Sequence, residues 1–423
     1  MRLIGRDNEI LSLISCYESE ESEFVALYGR RRVGKTFLIK EHFNSNFIFY
    51  STGILNGSKD IQLQVWNDNL KFYGGSNLNE AISWYEAFNN LNILVEQITK
   101  AGNSHKKVIF LDEIPWMATL HSDFLTGLDY FWNRWASSRR DILLIICGSA
   151  ASWIIDNILN CRGGLHNRVT RRIYLKPFNL NECKLYCDNR NLPFTNYQIA
   201  EAYMIFGGIP YYWSLMKPHL SLYQNVDNIY FNHDSELHDE FNNLYQSLYK
   251  NSDRYINVVE ALAIKGIGMT RSEIAKTLGI SDGGRLTTIL KNLSSSGFIR
   301  KYKAFGQKNK ESLYQLVDFF SMFDIKYRHI RELYERNYWL QFSATSAYSV
   351  WSGICFEKVC LLHLTQIQNK LGISGVLSTA YSWRGKREDY GAQIDLVIDR
   401  NDNSNHVRFI VNNLSLESLS SLL

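Results

Sequence analysis

Gly29-Arg30-Arg31-Arg32-Val33-Gly34-Lys35-Thr36 is the stretch on which the fold turns. It fits the phosphate-loop pattern G-x-x-x-x-G-K-[ST] at every position, and its flanks match the pattern's context. The apolar run Phe24–Tyr28 reads as a buried parallel strand leading in, and Phe37–Phe43 has helical spacing leading out. The chemistry explains the residue types. Glycines let the backbone curl so that successive N–H groups face phosphate oxygens. The following helix adds the positive end of its dipole. Lys35 reaches the outer phosphates as a point charge, and the Thr36 hydroxyl is a ligand for Mg2+. Gly29, Arg30, Arg31, Arg32, Val33, Gly34, Lys35 and Thr36 are therefore the candidate nucleotide-binding set.

Further along, Val108-Ile109-Phe110-Leu111-Asp112-Glu113 is a buried strand ending in two carboxylates. Ligands of open α/β sheets bind at that end of the strands. Asp112 is the candidate metal ligand, and Glu113 the candidate group that orients and polarises water. A third apolar run, Ile142–Cys147, ends in Gly148-Ser149-Ala150, so Ser149 is a candidate contact to the outer phosphate or the water. Strands alternating with helices predict an α/β fold with a parallel sheet. The remaining expectations in this region are a capped helix within 1–15, strands at Phe47–Tyr50 and Arg172–Leu175, a loop-rich stretch at 56–80, and helices at Ala81–Ala101 and Phe124–Ser137. No NKxD-like guanine-reading segment is present, which favours ATP over GTP as the ligand.

Composition bounds the rest. A chain of 423 residues is two to three domains long. At 45% hydrophobic and 21% charged residues it is globular rather than disordered. The net charge of +4 neither demands nor excludes a nucleic-acid partner. No apolar run reaches the length of a membrane helix, and the opening MRLIGRDNEI lacks the basic start and apolar core of a signal peptide. The seven cysteines show no zinc-site spacing, and they predict reduced thiols in a cytoplasmic protein.

Together these residues resemble the AAA-like ATPases of the archaeal-type ATPase family, a neighbour of the origin-recognition and signal-transducing NTPases. Ile4-Gly5-Arg6-x-x-Glu9 resembles the family's N-terminal box, which implies that Gly5 and Arg6 lie by the adenine. GRRRVGKT and FLDEIPW resemble its two Walker motifs, and Ile146-Cys147-Gly148-Ser149 its sensor segment. Gly207-Gly208-Ile209-Pro210-Tyr211 resembles the element that closes over the nucleotide, implicating Pro210. Arg168 matches the family's trans-acting arginine, although Gly-Leu-His-Asn precedes it where the family has Pro-Leu-Tyr-Gly. The resemblance covers residues 1–330 best. It implies an ATPase core at 1–178, a helical lid at 179–250 and a winged helix at 251–330, with ATP and Mg2+ as ligands and a conformational switch as the output.

Residues 269–301 have their own logic. Thr270 and Glu273 form a capping box, Gly279 ends the first helix, and Leu286, Ile289, Leu290 and Leu293 stripe a second from Gly284. Arg271, Arg285, Lys291, Arg300, Lys301 and Lys303 are candidate phosphate contacts to double-stranded DNA, with Arg285 the candidate base reader. At 331–423, Glu357 and Gln393-Ile394-Asp395-Leu396-Val397 resemble the start of a PD-(D/E)xK nuclease core. The chain has no lysine after Lys386, so an incomplete nuclease-like domain is expected, with a structural or binding role. The rival readings are an ATP-binding DNA regulator with little turnover and an ATPase-coupled nuclease. A homo-oligomer or a protein partner is compatible with either.

Overall fold

A computed structural model describes residues 3–100, 106–119, 122–160, 163–266, 268–302, 312–331, 337–384, 393–400 and 408–411. It divides into two compact units, Met1–Lys176 and Pro177–Leu423.

The first unit is built on five parallel strands: β1 (Glu23–Gly29), β2 (Phe49–Thr52), β3 (Lys107–Asp112), β4 (Ile142–Gly148) and β5 (Arg171–Leu175). Their order across the sheet is β2-β3-β4-β1-β5. Every residue of β3 and β4 is buried, as continuous apolar runs in the middle of a parallel sheet must be. Register pairs Phe24 with Leu144 and Phe110 with Ile145, so β1, β3 and β4 end along one edge.

Around the sheet run α1 (Asp7–Glu18), α2 (Lys35–His42), α3 (Lys59–Phe72), α4 (Trp84–Lys100), the short α5 (Ile114–Met117), α6 (Phe124–Arg134) and α7 (Ala151–Ile154), the last continuing as a π-helical turn, Ile155–Leu159. One face of the sheet packs on α3, α4 and α6 through a core that includes Phe49, Trp66, Trp84, Phe88, Phe124 and Phe131. Trp84 stands edge-on to Phe124 with ring centres 4.7 Å apart, the arrangement that ring quadrupoles favour.

Three local expectations change. Residues 56–80 are not loop-rich: α3 fills the middle of them. Ser58 caps it by accepting from the Ile61 N–H, and Leu63, Trp66 and Leu70 recur at helical spacing on its buried face. β2 lies two residues later than Phe47–Tyr50. The first helix is not side-chain capped: Arg6 stands at its N-cap with φ 70° and makes no capping bond there.

In the second unit, α8 (Leu180–Asn189), α9 (Asn196–Phe206), α10 (Pro210–Ser214), α11 (Leu222–Val226), α12 (Glu240–Gln246) and α13 (Ser252–Lys265) come first. Then β6 (Met269–Thr270), α14 (Arg271–Leu278), α15 (Gly284–Ser295), β7 (Ile299–Tyr302) and β8 (Leu313–Leu316) form a helix pair with an antiparallel sheet of order β6-β8-β7. The capping box is present: Thr270 accepts from the Glu273 N–H at 3.2 Å, and Glu273 accepts from the Thr270 N–H at 2.7 Å. After the antiparallel pair of β7 and β8 the chain continues. α16 (Phe319–Arg331) follows the pair and buries Phe319, Phe320, Phe323 and Tyr327. After it come α17 (Tyr338–Phe342), α18 (Ser346–Leu362), which carries Glu357, and α19 (Leu364–Lys370).

An antiparallel sheet of β9 (Ser378–Arg384), β10 (Gln393–Arg400) and β11 (Arg408–Val411) follows, in the order β11-β10-β9. Asp395 falls on β10, whereas Lys303, Lys386, Asp402, His406 and the tail 412–423 lie outside the described residues. Among the described residues no helix is long and apolar enough to cross a membrane. Cys16, Cys147, Cys183, Cys187, Cys355 and Cys360 are buried thiols rather than disulfides.

Candidate nucleotide site

The site follows from the strand order. β4 lies between β1 and β3, so the residue at its tip falls between the loop that follows β1 and the carboxylates that end β3. That residue is Ser149. Lys35 donates to its Oγ at 3.0 Å, and Ser149 in turn donates its O–H to Glu113 Oε1. The Ser149 N–H reaches the other carboxylate oxygen of Glu113 at 3.2 Å. An ammonium and a carboxylate from two different strand ends thus meet through one hydroxyl, which can accept and donate at once.

The loop is held by its own backbone. Gly29 has φ 149°, and a Cβ there would come within 2.4 Å of the Leu175 carbonyl oxygen on β5, so only glycine fits. Gly34 stands at the N-cap of α2 in the left-handed region. Lys35, 5% exposed, also donates to the Gly29 and Arg30 carbonyls at 3.1 and 2.8 Å, which together with Ser149 uses all three ammonium protons. Arg30 and Val33 are buried, while Arg31 and Arg32 are half-buried.

Beside this chain of bonds, Thr36 donates to Asp112 Oδ2 at 2.6 Å, and Asp112 Oδ1 accepts from the Glu113 N–H at 2.9 Å. A hydroxyl and a carboxylate side by side are hard oxygen donors of the kind Mg2+ takes, with room left for phosphate and water. Among the described residues no cluster of three or more His, Cys, Asp or Glu is set to chelate a metal. Glu113 itself has φ 48°, a left-handed conformation that costs a residue with a side chain roughly 1–2 kcal/mol. Burial, with the Asp112 charge next in size, pushes the Cys147 thiol just behind this site well above its ordinary range, which keeps it neutral and unreactive.

Other residues singled out by sequence fall elsewhere. Gly5 (φ 63°) precedes Arg6, whose buried guanidinium donates to the Lys176 carbonyl at 2.7 Å and the Val33 carbonyl at 3.2 Å. Arg6 therefore ties the phosphate loop to the end of β5. Arg168 is exposed in the turn before β5, and no described bond joins it to Lys35, Asp112 or Glu113. Pro210 opens α10 in the second unit.

Two of the DNA-phosphate candidates are committed to the protein itself. Arg271 pairs with Asp282 and donates to the Gly283 carbonyl at 2.9 Å. Arg300 donates to Gln315 Oε1 at 2.7 Å and lies over the Tyr302 ring, because β7 turns it toward its sheet partner. Arg285 and Lys301 are exposed.

Sequence reading missed the turn after β2 and its anchor, Gln62. Their only signal was Gly53 directly behind a strand, and the buried polar residues of α3 hid the helix that carries Gln62.

The profile of a family described as an ATPase domain predominantly from Archaea matches residues 3–216. An uncharacterized protein of Methanocaldococcus jannaschii is 26% identical over 418 residues, spanning 96% of this chain and 86% of that protein. Among solved structures, a Walker-type ATPase of Pyrococcus abyssi is similar, with a TM-score of 0.53 at 18% identity over 77% of this chain and 96% of its own. The ORC2 protein of Aeropyrum pernix is more distant, with a TM-score of 0.45 at 12% identity over 78% and 95%. The likeness to the Pyrococcus protein is one of fold.

Proposed function

Because the chain belongs to the family of ATPase domains found predominantly in Archaea, we propose that it is a Mg2+-dependent ATPase whose hydrolytic step is run by Lys35, Glu113 and Ser149. The observation that supports this reading is the bond chain Lys35–Ser149–Glu113 alongside the Thr36–Asp112 pair. Backbone N–H groups of residues 29–36 and the α2 N-terminus hold the phosphates. Lys35 exchanges its loop carbonyls for phosphate oxygens, a trade its flexible stem permits. Thr36 and Asp112 would hold the metal, which when bound would neutralise phosphate charge. Glu113 accepts a hydrogen bond from the attacking water and aims it at the outer phosphorus; as the new P–O bond forms, the bond to the leaving nucleoside-diphosphate oxygen breaks and the water's proton passes to Glu113. Ser149 releases Lys35 to the phosphate and keeps hold of Glu113.

In the same reading, Gly5 and Arg6 flank the base, and Arg168 serves a neighbouring copy in trans. Turnover then switches a conformation. Residues 331–423 act as a structural or binding domain of nuclease-like descent. Glu357 on α18 ahead of β9–β11 supports that descent, and the want of any lysine after Lys386 speaks against cleavage.

Ser149→Ala tests the assignment. It removes one bond to a charged group on each side, each worth about 1.5–3 kcal/mol. Turnover is expected to fall about tenfold at saturating ATP and Mg2+, by phosphate release, with ATP still bound. A variant as fast as wild type, or a wild type that releases no phosphate, sinks the reading.

A second reading adds DNA. Residues 251–330 have the strand and helix order of a winged helix, and Arg285, on the first turn of α15, lines a hollow of about 460 Å³ with Arg254 and has no described ion-pair partner. In that reading α15 enters a major groove. Arg285→Ala is expected to weaken duplex binding about 10-fold or more at fixed salt, by fluorescence anisotropy, leaving ATP turnover without DNA unchanged. Equal affinity of wild type and variant for every duplex tried removes Arg285 from the interface.

A further inference from the structure

Gln62 sits on α3, away from every residue that touches a phosphate or a metal in the reading above, yet it is 2% exposed and its amide is fully engaged. Its Oε1 accepts from the Ile54 N–H at 2.9 Å. Its Nε2 donates to the Ile54 carbonyl at 2.7 Å and to the Gly57 carbonyl at 3.4 Å. One side chain thus pairs with both backbone groups of the residue that leads the turn and with the carbonyl that ends it. The turn closes on itself through Gly57 N–H to the Ile54 carbonyl at 3.1 Å, with Asn56 at φ 57°.

The apolar side chains of this turn are only partly covered. Ile54 is 37% and Leu55 52% exposed, so neither side chain is fully buried. The buried amide holds the turn, and it replaces backbone partners that water would otherwise supply.

What the turn holds is the backbone of Glu113. Gly53 donates its N–H to the Asp112 carbonyl at 2.9 Å, the last rung between β2 and β3. Its α-carbon then lies so close over the next peptide that a Cβ would stand 2.4 Å from the Glu113 carbonyl oxygen, 2.9 Å from Trp116 Cβ and 3.1 Å from the Met117 nitrogen. Glu113 is the residue held at φ 48°, a conformation that persists only where its surroundings impose it. On one side the imposing groups are Asp112 Oδ1 at the Glu113 N–H and the Trp116 N–H at the Glu113 carbonyl. On the other it is the Gly53 backbone, kept there by Gln62.

We propose that Gln62 is a positioning residue for Glu113: by clamping the Ile54–Gly57 turn it fixes Gly53 against the Glu113 carbonyl and so aims the carboxylate. The inference rests on the role proposed for Glu113, and it adds a residue that contacts neither nucleotide nor metal. A carboxylate that orients water is sensitive to its placement, since a displacement of about 1 Å can cost up to about 10²-fold in rate. Phosphate binding is not sensitive in this way, because the loop and Lys35 lie at the end of another strand with β4 in between, and the rung from Gly53 to Asp112 is a backbone bond that no side-chain change at 62 removes.

The test is a split between kcat and KM in the full chain. Gln62→Ala removes all three bonds. Gln62→Glu keeps the acceptor and loses the donors, and so sets a carboxylate against two carbonyls. Gly53→Ala strikes the same contact from the other end. In all three, kcat for ATP is expected to fall between about 10- and 100-fold. KM for ATP stays within about twofold, and so does the fluorescent-ATP-analogue affinity measured in Mg2+, because the binding loop is untouched. Gln62→Glu is further expected to regain part of its loss as the pH falls towards the range where a buried carboxyl takes up a proton and can donate again, which wild type does not do.

A merely structural role lowers bound nucleotide and turnover together. Turnover is therefore counted per bound nucleotide, and Gly53→Ala provides a second route should Gln62→Ala fold poorly. Gln62→Ala and Gly53→Ala with wild-type kcat, beside a Glu113→Gln control that has lost it, overturn the positioning role and leave the ATPase reading standing. Glu113→Gln at the wild-type rate overturns that reading, and the positioning role falls with it.

Discussion

Glu113→Gln is expected to keep ATP bound and to lose about 10²–10⁴-fold in turnover, the usual worth of a positioned general base. The substitution is nearly isosteric, so the left-handed backbone at 113 and the Ser149 N–H contact to its side chain can persist. What disappears is the negative charge and the second acceptor oxygen. An amide set against the Ser149 hydroxyl presents either its oxygen or its NH2, and neither takes a proton from water at neutral pH. Lys35 and the loop carbonyls do not depend on Glu113, which is why affinity is expected to survive. Equilibrium binding of ATP with Mg2+ and single-turnover phosphate release, measured side by side, check both halves. Turnover within a few-fold of wild type removes Glu113 from the chemistry. Lost binding instead assigns it to the site's architecture.

Lys35→Ala should cost the nucleotide itself. The ammonium is buried and spends its three protons on Gly29, Arg30 and Ser149, groups that a phosphate can replace with a stronger, charge-assisted partner. A hydrogen bond to a charged group is worth about 1.5–3 kcal/mol, which is about 10- to 10²-fold in ATP affinity. The loss in turnover is larger, because the charge that grows on the outer phosphate oxygens loses its closest cation as well. Lys35→Arg does not restore it: a planar fork cannot follow the compact path past two carbonyls that the lysine takes. Isothermal titration with ATP, together with melting curves to confirm folding, distinguishes this from collapse of the loop. Unchanged affinity in a folded Lys35→Ala variant would place the phosphates elsewhere.

Much of the first unit was legible in the chain because its signals are local. Continuous apolar runs mark β1, β3 and β4, since a strand covered on both faces has no polar side to show. The phosphate loop is legible because its glycines answer a backbone requirement at fixed spacing. The capping box at Thr270 and Glu273 and the stripe of α15 could be read for the same reason. Helix α3 escaped because its inward set includes Gln62 and Asn67, polar residues buried for hydrogen bonding rather than for hydrophobicity. The fate of Arg271 and Arg300 escaped as well. Arg271 finds Asp282 and the Gly283 carbonyl beyond the end of α14, and Arg300 finds Gln315 on the strand beside it, partners set by how those segments pack.

The sequence by itself determined which residues could bind phosphate, hold a metal and orient water: Lys35 and Thr36 behind a glycine loop, Asp112 and Glu113 at the end of a strand, Ser149 at the tip of another. Tertiary structure alone decided how they are joined, through the bonds Lys35–Ser149–Glu113 and Thr36–Asp112. Ser149 is 114 residues from Lys35 and 36 from Glu113, and only the insertion of β4 between β1 and β3 sets it where it bonds both. Strand order is the outcome of which faces bury best against which helices, a competition among distant segments that no local pattern records. The clamp of Gln62 on the turn beside Glu113 is of the same kind: a polar side chain whose partners exist only once two separate elements have packed.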